Sequence, residues 1–326
     1  MAEWLIENGI AEQRAILLES GRIVAARLHW PGRLTAGQVE DAVLTTRRGG
    51  TARGTARFAS GEEALVDRLP REASEGATIR LEVNRPAMRE AGRRKLAQAR
   101  PTTADPTPAP SLAKQIEDEG HAARLVRRFP DDADWDELWL EAWHGAVEFA
   151  GGSLGFFPTP AMTLVDVDGA DDPAPLARRS AGPLANAIKR FDLGGSIGID
   201  FPTLATKADR KAVDAALAEA LDGWPHEATA MNGFGFVQLV ARSARPSLLH
   251  RIGGERPAAA ARHLLRRAEA LHGPGTLQLS AHPALTAHLT QPRLDELACR
   301  AGCAVALQPD PSLALEAGHA QIVGDG

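Results

Sequence analysis

The sequence predicts a mixed α/β (α+β) protein. It has three parts: an α/β core with a mixed sheet, an N-terminal OB-like β-barrel, and a small C-terminal α/β domain. Three observations predict this. Short strand-like runs separated by Gly and charged turns fill residues 35–83. From about residue 161 onward, strand-like and helix-like runs alternate, the pattern of a sheet covered by helices. A Pro- and Thr-rich segment, 101–112, separates the two regimes. The chain has 326 residues, 44% hydrophobic and 24% charged. That suits an ordinary globular protein of about two domains.

The elements follow in order. Residues 1–34 read as strand, turn, strand, with 15–19 and 22–28 flanking Ser20-Gly21, a hairpin-like pairing. Within 35–100, candidate strands lie at 41–46, 54–58, 63–67 and 77–83. Short strands at this spacing suit a small OB-type barrel, a fold often used to hold single-stranded nucleic acid. Phe58 is the main aromatic platform such a barrel offers here, with His29 and Trp30 just outside. Residues 101–112 form a stiff linker. In the core, 113–250, a helix starts at Ser111 and a second covers 135–143 with Asp134 as its cap. A strand, Gly-Gly turn, strand pattern follows through 146–157. Strands at 161–168, 194–200 and 234–240 then alternate with helices at 174–191, despite Pro183, and 206–222. The tail, 251–326, reads helix, strand 275–280, helix, strand 304–307, and ends in Ala320-Gln-Ile-Val.

Composition excludes several classes. No run approaches the ~18 apolar residues that a spanning helix requires. The opening residues lack a basic n-region and an apolar h-region, so cytoplasmic location is the expectation. Two cysteines, Cys299 and Cys303, exclude a disulfide framework and a four-thiolate zinc site. Four residues apart on a helix, they read as small buried residues, and no zinc is expected. The net charge of −5 does not advertise a nucleic-acid binder. The basic excess is local: residues 85–100 carry six cations and one anion, including Arg93, Arg94 and Lys95. Such a stretch neutralises backbone phosphates or forms a solvated face. Trp135, Trp139 and Trp143 share one helical face, as core packing requires.

The chemistry sits in carboxylates. Side chains alternate along a strand, so Met162, Leu164, Asp166 and Asp168 share a face. Two acids there repel, and burial would be costly. Asp200 ends a second strand, and strand ends are where open α/β sheets bind ligands. If the strands are neighbours, Asp166 and Asp200 converge and need a cation. Mg2+ is the usual answer, with Mn2+ the alternative ion. Held there, it would activate water for attack at phosphorus. The other reading makes these aspartates helix caps or strand ends.

At these residues the sequence resembles the ribonuclease E/G family of endoribonucleases. The matching segments are Thr159-Pro-Ala-Met-Thr-Leu-Val-Asp166-Val-Asp168, Asp192-Leu-Gly-Gly-Ser-Ile-Gly-Ile-Asp200-Phe, Asn232-Gly-Phe-Gly-Phe-Val-Gln-Leu-Val, and Arg245-Pro-Ser-Leu. The resemblance implies an α/β nuclease core whose N-terminal ribonuclease H-like strands are residues 1–34. It implies Mg2+-dependent cleavage of single-stranded RNA, leaving 5′-phosphate ends, in ribosomal or other RNA precursor processing. Carried over, Asp166 and Asp200 hold the ion. Asp168 stands where the family pattern has Asn. No Cys-Pro-x-Cys follows Pro246-Ser-Leu, so a zinc-linked dimer is not expected and a monomer or weak dimer is. The interval holding the family's 5′-monophosphate pocket is short here, so reduced 5′-end sensing is expected. Catalytic residues are thus expected at Asp166, Asp200 and Asp168, and RNA contacts at Arg93, Arg94, Lys95, Phe58 and Lys211. Lys211, with Lys207 and Arg210, follows Asp200 on the next helix. A non-catalytic RNA-binding protein on the same scaffold and a small-molecule phosphoesterase are the rival readings.

Overall fold

The computed structural model describes residues 3–90, 93–243 and 245–324. Strands β1 (Trp4–Gly9), β2 (Glu12–Glu19) and β3 (Arg22–His29) open the chain. A five-stranded closed barrel follows: β4 (Val39–Arg47), β5 (Gly54–Arg57), β6 (Glu63–Val66), β7 (Thr78–Arg85) and, after a small hairpin, β10 (Ala97–Pro101). The hairpin is β8 (Met88–Glu90) and β9 (Arg93–Lys95). The basic stretch is therefore strand and hairpin, not a loose tail. The barrel encloses its own core of small and aliphatic side chains, among them Leu44, Ala56, Ala64, Leu81 and Val83. The 101–112 segment is extended, and Thr107 bridges to Val39.

After helix α1 (Leu112–Asp118), which starts where expected and is capped by Ser111, β11 (Ala123–Val126) returns to the first sheet. It lies parallel to β1, giving the order β11-β1-β2-β3. Neither β1 nor β11 was expected from sequence. The barrel is thus an excursion between two strands of one sheet. Helix α2 (Trp135–His144) starts where expected, but Asp134 sits in a left-handed conformation and its side chain caps nothing. The three tryptophans of α2 are buried, as expected. Trp139 stacks on Trp143 at 4.9 Å and on His263 at 4.1 Å between ring centroids.

The main sheet has six strands: β12 (Ala146–Phe149), β13 (Gly152–Pro158), β14 (Thr163–Gly169), β15 (Gly195–Asp200), β16 (His226–Ala228) and β17 (Phe236–Ala241). Their order is β12-β13-β14-β15-β17-β16. Only β14 and β15 are parallel. Helices α3 (Pro173–Arg190) and α4 (Lys207–Ala220) connect the strands and pack on each other. Val165, Val167, Ile197, Ile199, Val237 and Leu239 share one core with the buried faces of these helices. The alternating side chains on the other face form an open surface.

The tail has α5 (Arg256–Ala268), β18 (Thr276–Ala281), α6 (Gln291–Ala301), β19 (Val305–Pro309) and β20 (His319–Val323). Its sheet runs β19-β18-β20. Helix α5 is buried along nearly its whole length and belongs to the same core as the main sheet. The tail therefore has the expected elements without a separate core. Helix α6 stops at Gly302 in a left-handed cap, so Cys303 lies beyond it, and Cys299 is exposed. The expectation of two buried cysteines on one helix is corrected. Among the described residues no helix is long and apolar enough to cross a membrane.

Two buried histidines make the core sensitive to acid. Burial lowers His263 to about 4, outweighing the opposing pull of Asp136. Burial, then Arg251, lowers His29 to about 4. An unfolded His takes its proton near 6.5, whereas these two stay neutral in the fold until about 4. Stability is therefore present above 6.5 and lost as pH falls towards 4, by up to roughly 3 kcal/mol per histidine. Urea midpoints followed by tryptophan fluorescence between pH 7 and pH 4 measure it. His263→Phe should flatten the profile if ring stacking is kept.

Candidate functional site

The parallel pair β14 and β15 sets the geometry. Asp166 lies directly beside Asp200 in the register, and Val165 beside Ile199. The valine and isoleucine point into the core, so the two aspartates point together onto the open face. Neighbouring strands run about 4.8 Å apart. The convergence expected from sequence is therefore present. Both aspartates are exposed, and neither has a hydrogen-bond or ion-pair partner among the described residues. Asp168 is two residues further along the same face, about 6.6 Å away. Its Oδ1 accepts a hydrogen bond from the Gly169 N–H at 2.8 Å. No group of three or more His, Cys, Asp or Glu among the described residues is arranged to hold a metal ion. The pair alone is compatible with Mg2+, which commonly takes one or two carboxylates and keeps several waters.

The direct strand neighbours of the pair are a glycine and an aromatic ring. Asp166 faces Gly155 of β13, and Asp200 faces Phe236 of β17. Gly198 lies two residues before Asp200 on this face. A Cβ there would come within 2.5 Å of Cζ of Phe236, so only Gly lets that ring lie across the strand. Phe157 and Leu164 are cross-strand neighbours, 55% and 38% exposed. Phe234 is 82% exposed on the turn before β17. Asn232 shapes that turn: its Oδ1 accepts from the N–H groups of Phe234 at 2.9 Å and Phe236 at 3.1 Å.

A half-buried ion network backs the strand that carries Asp200. Arg245 Nε donates to Asp192 at 2.6 Å and Nη1 donates to Glu119 at 3.0 Å. Glu119 also receives Arg27. Burial pushes the Glu119 carboxyl up, but Arg245 and Arg27 outweigh it and leave it below its ordinary value. Burial works against the Arg245 charge, yet Asp192 and Glu119 raise its pKa above the ordinary value. The network thus stays charged and joins α1, the turn after α3 and the Arg245 segment.

The expected RNA contacts divide. Arg94 is exposed on β9, with Glu62 at 4.0 Å. Lys95 is half-buried on the same strand. The Arg93 side chain lies outside the described residues. Lys211 is exposed on α4, whose Val213 and Leu217 pack beneath the opposite sheet face. It makes no contact with either aspartate among the described residues. Arg210 is used locally, its Nη1 donating to the Leu204 carbonyl at 2.9 Å. Phe58 must be corrected: it is 3% exposed and packs inside the barrel. Trp30 is fully buried, with Arg262 over its ring at 4.0 Å and Arg251 at 5.1 Å. The barrel therefore has no platform at these positions. The exposed aromatics are Phe157 and Phe234, which sequence reasoning missed. The Phe156-Phe157 doublet carried a signal: in a strand one of the two must point away from the core.

A scan against protein-family models gave no match, and a search of curated proteins gave none either.

Proposed function

We propose that the chain is a Mg2+-dependent endoribonuclease that cleaves single-stranded RNA. Its role is the processing of ribosomal or other RNA precursors in the cytoplasm, leaving 5′-phosphate ends. One observation carries the reading: Asp166 and Asp200, unpartnered, lie side by side in register on an open, uncovered sheet face. Two carboxylates on adjacent strands of one face are a donor set that a divalent cation can share. The resemblance to ribonuclease E/G falls on these same residues. When bound, the ion supplies Lewis-acid stabilisation of the phosphate oxygens and a water of lowered pKa. The protein's own part is positional. Asp166 and Asp200 supply ligand oxygens fixed by the β14–β15 ladder. The aromatic floor beside them offers faces on which unstacked bases can lie. The open face leaves room for a strand to cross, which a closed small-molecule pocket would not.

The test uses end-labelled single-stranded RNA. Internal cleavage with Mg2+ or Mn2+, abolished by EDTA and yielding 5′-phosphate and 3′-hydroxyl ends, is the expected result. RNA binding with no cleavage in either ion would establish the second reading, a non-catalytic RNA-binding protein. One observation favours that reading: Asp168 adds a negative charge where the resembled family has a neutral Asn.

A further inference from the structure

The hairpin β8–β9 leaves the barrel and docks on the core. Ser243 Oγ reaches Met88 Sδ at 4.0 Å. A Cβ at Gly254 would lie 3.3 Å from the Arg89 carbonyl of the hairpin, a tight contact that Gly relieves. Docking leaves a cleft of about 750 Å3 between the hairpin, the end of α2, strand β13 and the start of α5. Arg89, Arg94, His144, Phe157 and Arg256 line it, and no carboxylate does among the described lining residues. Arg256 is held in place: its guanidinium lies 4.9 Å from the Trp143 ring, and Nη2 donates to the Trp143 carbonyl at 3.1 Å. Phe157 belongs both to the cleft and to the open sheet face. It sits one strand across and two residues back from Asp166, roughly 8 Å away by strand geometry.

Three guanidiniums, one of them with Glu62 at 4.0 Å, suit a phosphodiester anion, and an exposed phenyl ring at the mouth suits a base. A sequence-tolerant single-strand site combines these two elements. We infer that this cleft is a nucleotide subsite for single-stranded RNA, in which Arg89, Arg94 and Arg256 hold the backbone and Phe157 stacks a base. The bound strand then leaves the cleft across the face that carries Asp166 and Asp200. The inference rests on the RNA reading of the chain, not on cleavage. A protein duplex-binding surface lacks the need for a stacking ring, since paired bases are already stacked.

The experiment measures binding of a fluorescent single-stranded oligoribonucleotide in EDTA, by anisotropy over a salt series. Phe157→Ala is expected to weaken binding about tenfold or more with the salt slope unchanged. Arg94→Ala is expected to weaken binding and flatten the slope by about 0.7, the value for one phosphate contact on a single strand. Lys114→Ala, at an exposed position of α1, serves as the control and changes neither. Phe157 and Arg94 are exposed, and thermal melts confirm that the variants fold. Wild-type binding that both variants leave intact overturns the subsite while the RNA reading stands. No single-strand binding by the wild type overturns both. Equal affinity for duplex RNA, with the same Phe157 dependence, overturns the stacking assignment.

Discussion

Asp200→Asn should lower Mg2+-dependent RNA cleavage by at least ~10³-fold. A cation at this site is worth several kcal/mol of transition-state stabilisation, and each 1.36 kcal/mol is tenfold in rate. Asp200 and Asp166 are the two proposed ligand positions, joined across the parallel ladder, and Asn contributes one neutral oxygen where a charged carboxylate stood. Asp166→Asn should lose as much. The double variant should be little worse than either single one, because residues that act as a unit are not additive. Asp168→Asn is different. Asp168 lies beyond the paired stretch, and its Oδ1 accepts from the Gly169 N–H, a bond that the Asn carbonyl can also accept. Cleavage by that variant should stay within about tenfold of wild type. Single-turnover rates across a Mg2+ titration measure all four. RNA affinity in EDTA should be unchanged in each. An Asp200→Asn protein that cleaves within tenfold of wild type would remove the paired carboxylates from the chemistry.

Arg14→Ala should destabilise the core by about 3–5 kcal/mol. Arg14 is 1% exposed and joins two carboxylates, donating to Glu7 Oε1 at 2.6 Å and Glu12 Oε1 at 2.7 Å. Arg266 of α5 donates to the same Glu7 oxygen at 3.1 Å, and Trp30 Nε1 donates to Glu12 at 2.8 Å. Burial pushes the Glu7 carboxyl up, but Arg14 and Arg266 outweigh it and hold it below its ordinary value. Its contribution is therefore complete above the ordinary carboxylate range and disappears as pH falls through the lower, folded value. Removing Arg14 strands buried negative charge, so the deficit should narrow on acidification as Glu7 takes a proton. Urea midpoints at pH 7 and pH 5, read from tryptophan fluorescence, give both numbers. The combined Arg14→Met, Glu12→Gln protein should recover most of the loss, because it removes one charge of each sign and leaves Glu7 paired with Arg266. A single variant as stable as wild type would show that the cluster is not buried as drawn.

The elements legible in the sequence were those with clean periodicity. The barrel strands alternate and are punctuated by Gly, and β14 and β15 are each followed by an amphipathic helix. Strand β1 was missed because Trp4, Leu5 and Ile6 are all buried, between the small core of Trp4 and Ile6 and the large core of Leu5. A continuous apolar run has no period to read. Strand β11 has four residues and exists because β1 offers it a parallel edge. Phe58 follows β5 at a turn, where sequence does not say which way a ring points; the barrel took it inward. The aspartate pair could be nominated because Asp166 shares a strand face with Asp168 and Asp200 ends a strand. That they meet depended on β14 and β15 being neighbours, which only the fold decides. The cleft could not be nominated, since its lining comes from positions 89, 94, 144, 157 and 256.

The excursion of the barrel also orders events in time. Residues 39–101 hold all five strands of the small cylinder. The opening sheet cannot finish with them. Strand β1 gains its parallel edge only after residue 123 has been synthesised, and Glu7 meets Arg266 across 259 positions. Contacts of such long range slow the search for the native state. The first thirty residues must wait, half-assembled, with one flank bare. That interval, more than the finished molecule, is where this chain is exposed to misassembly.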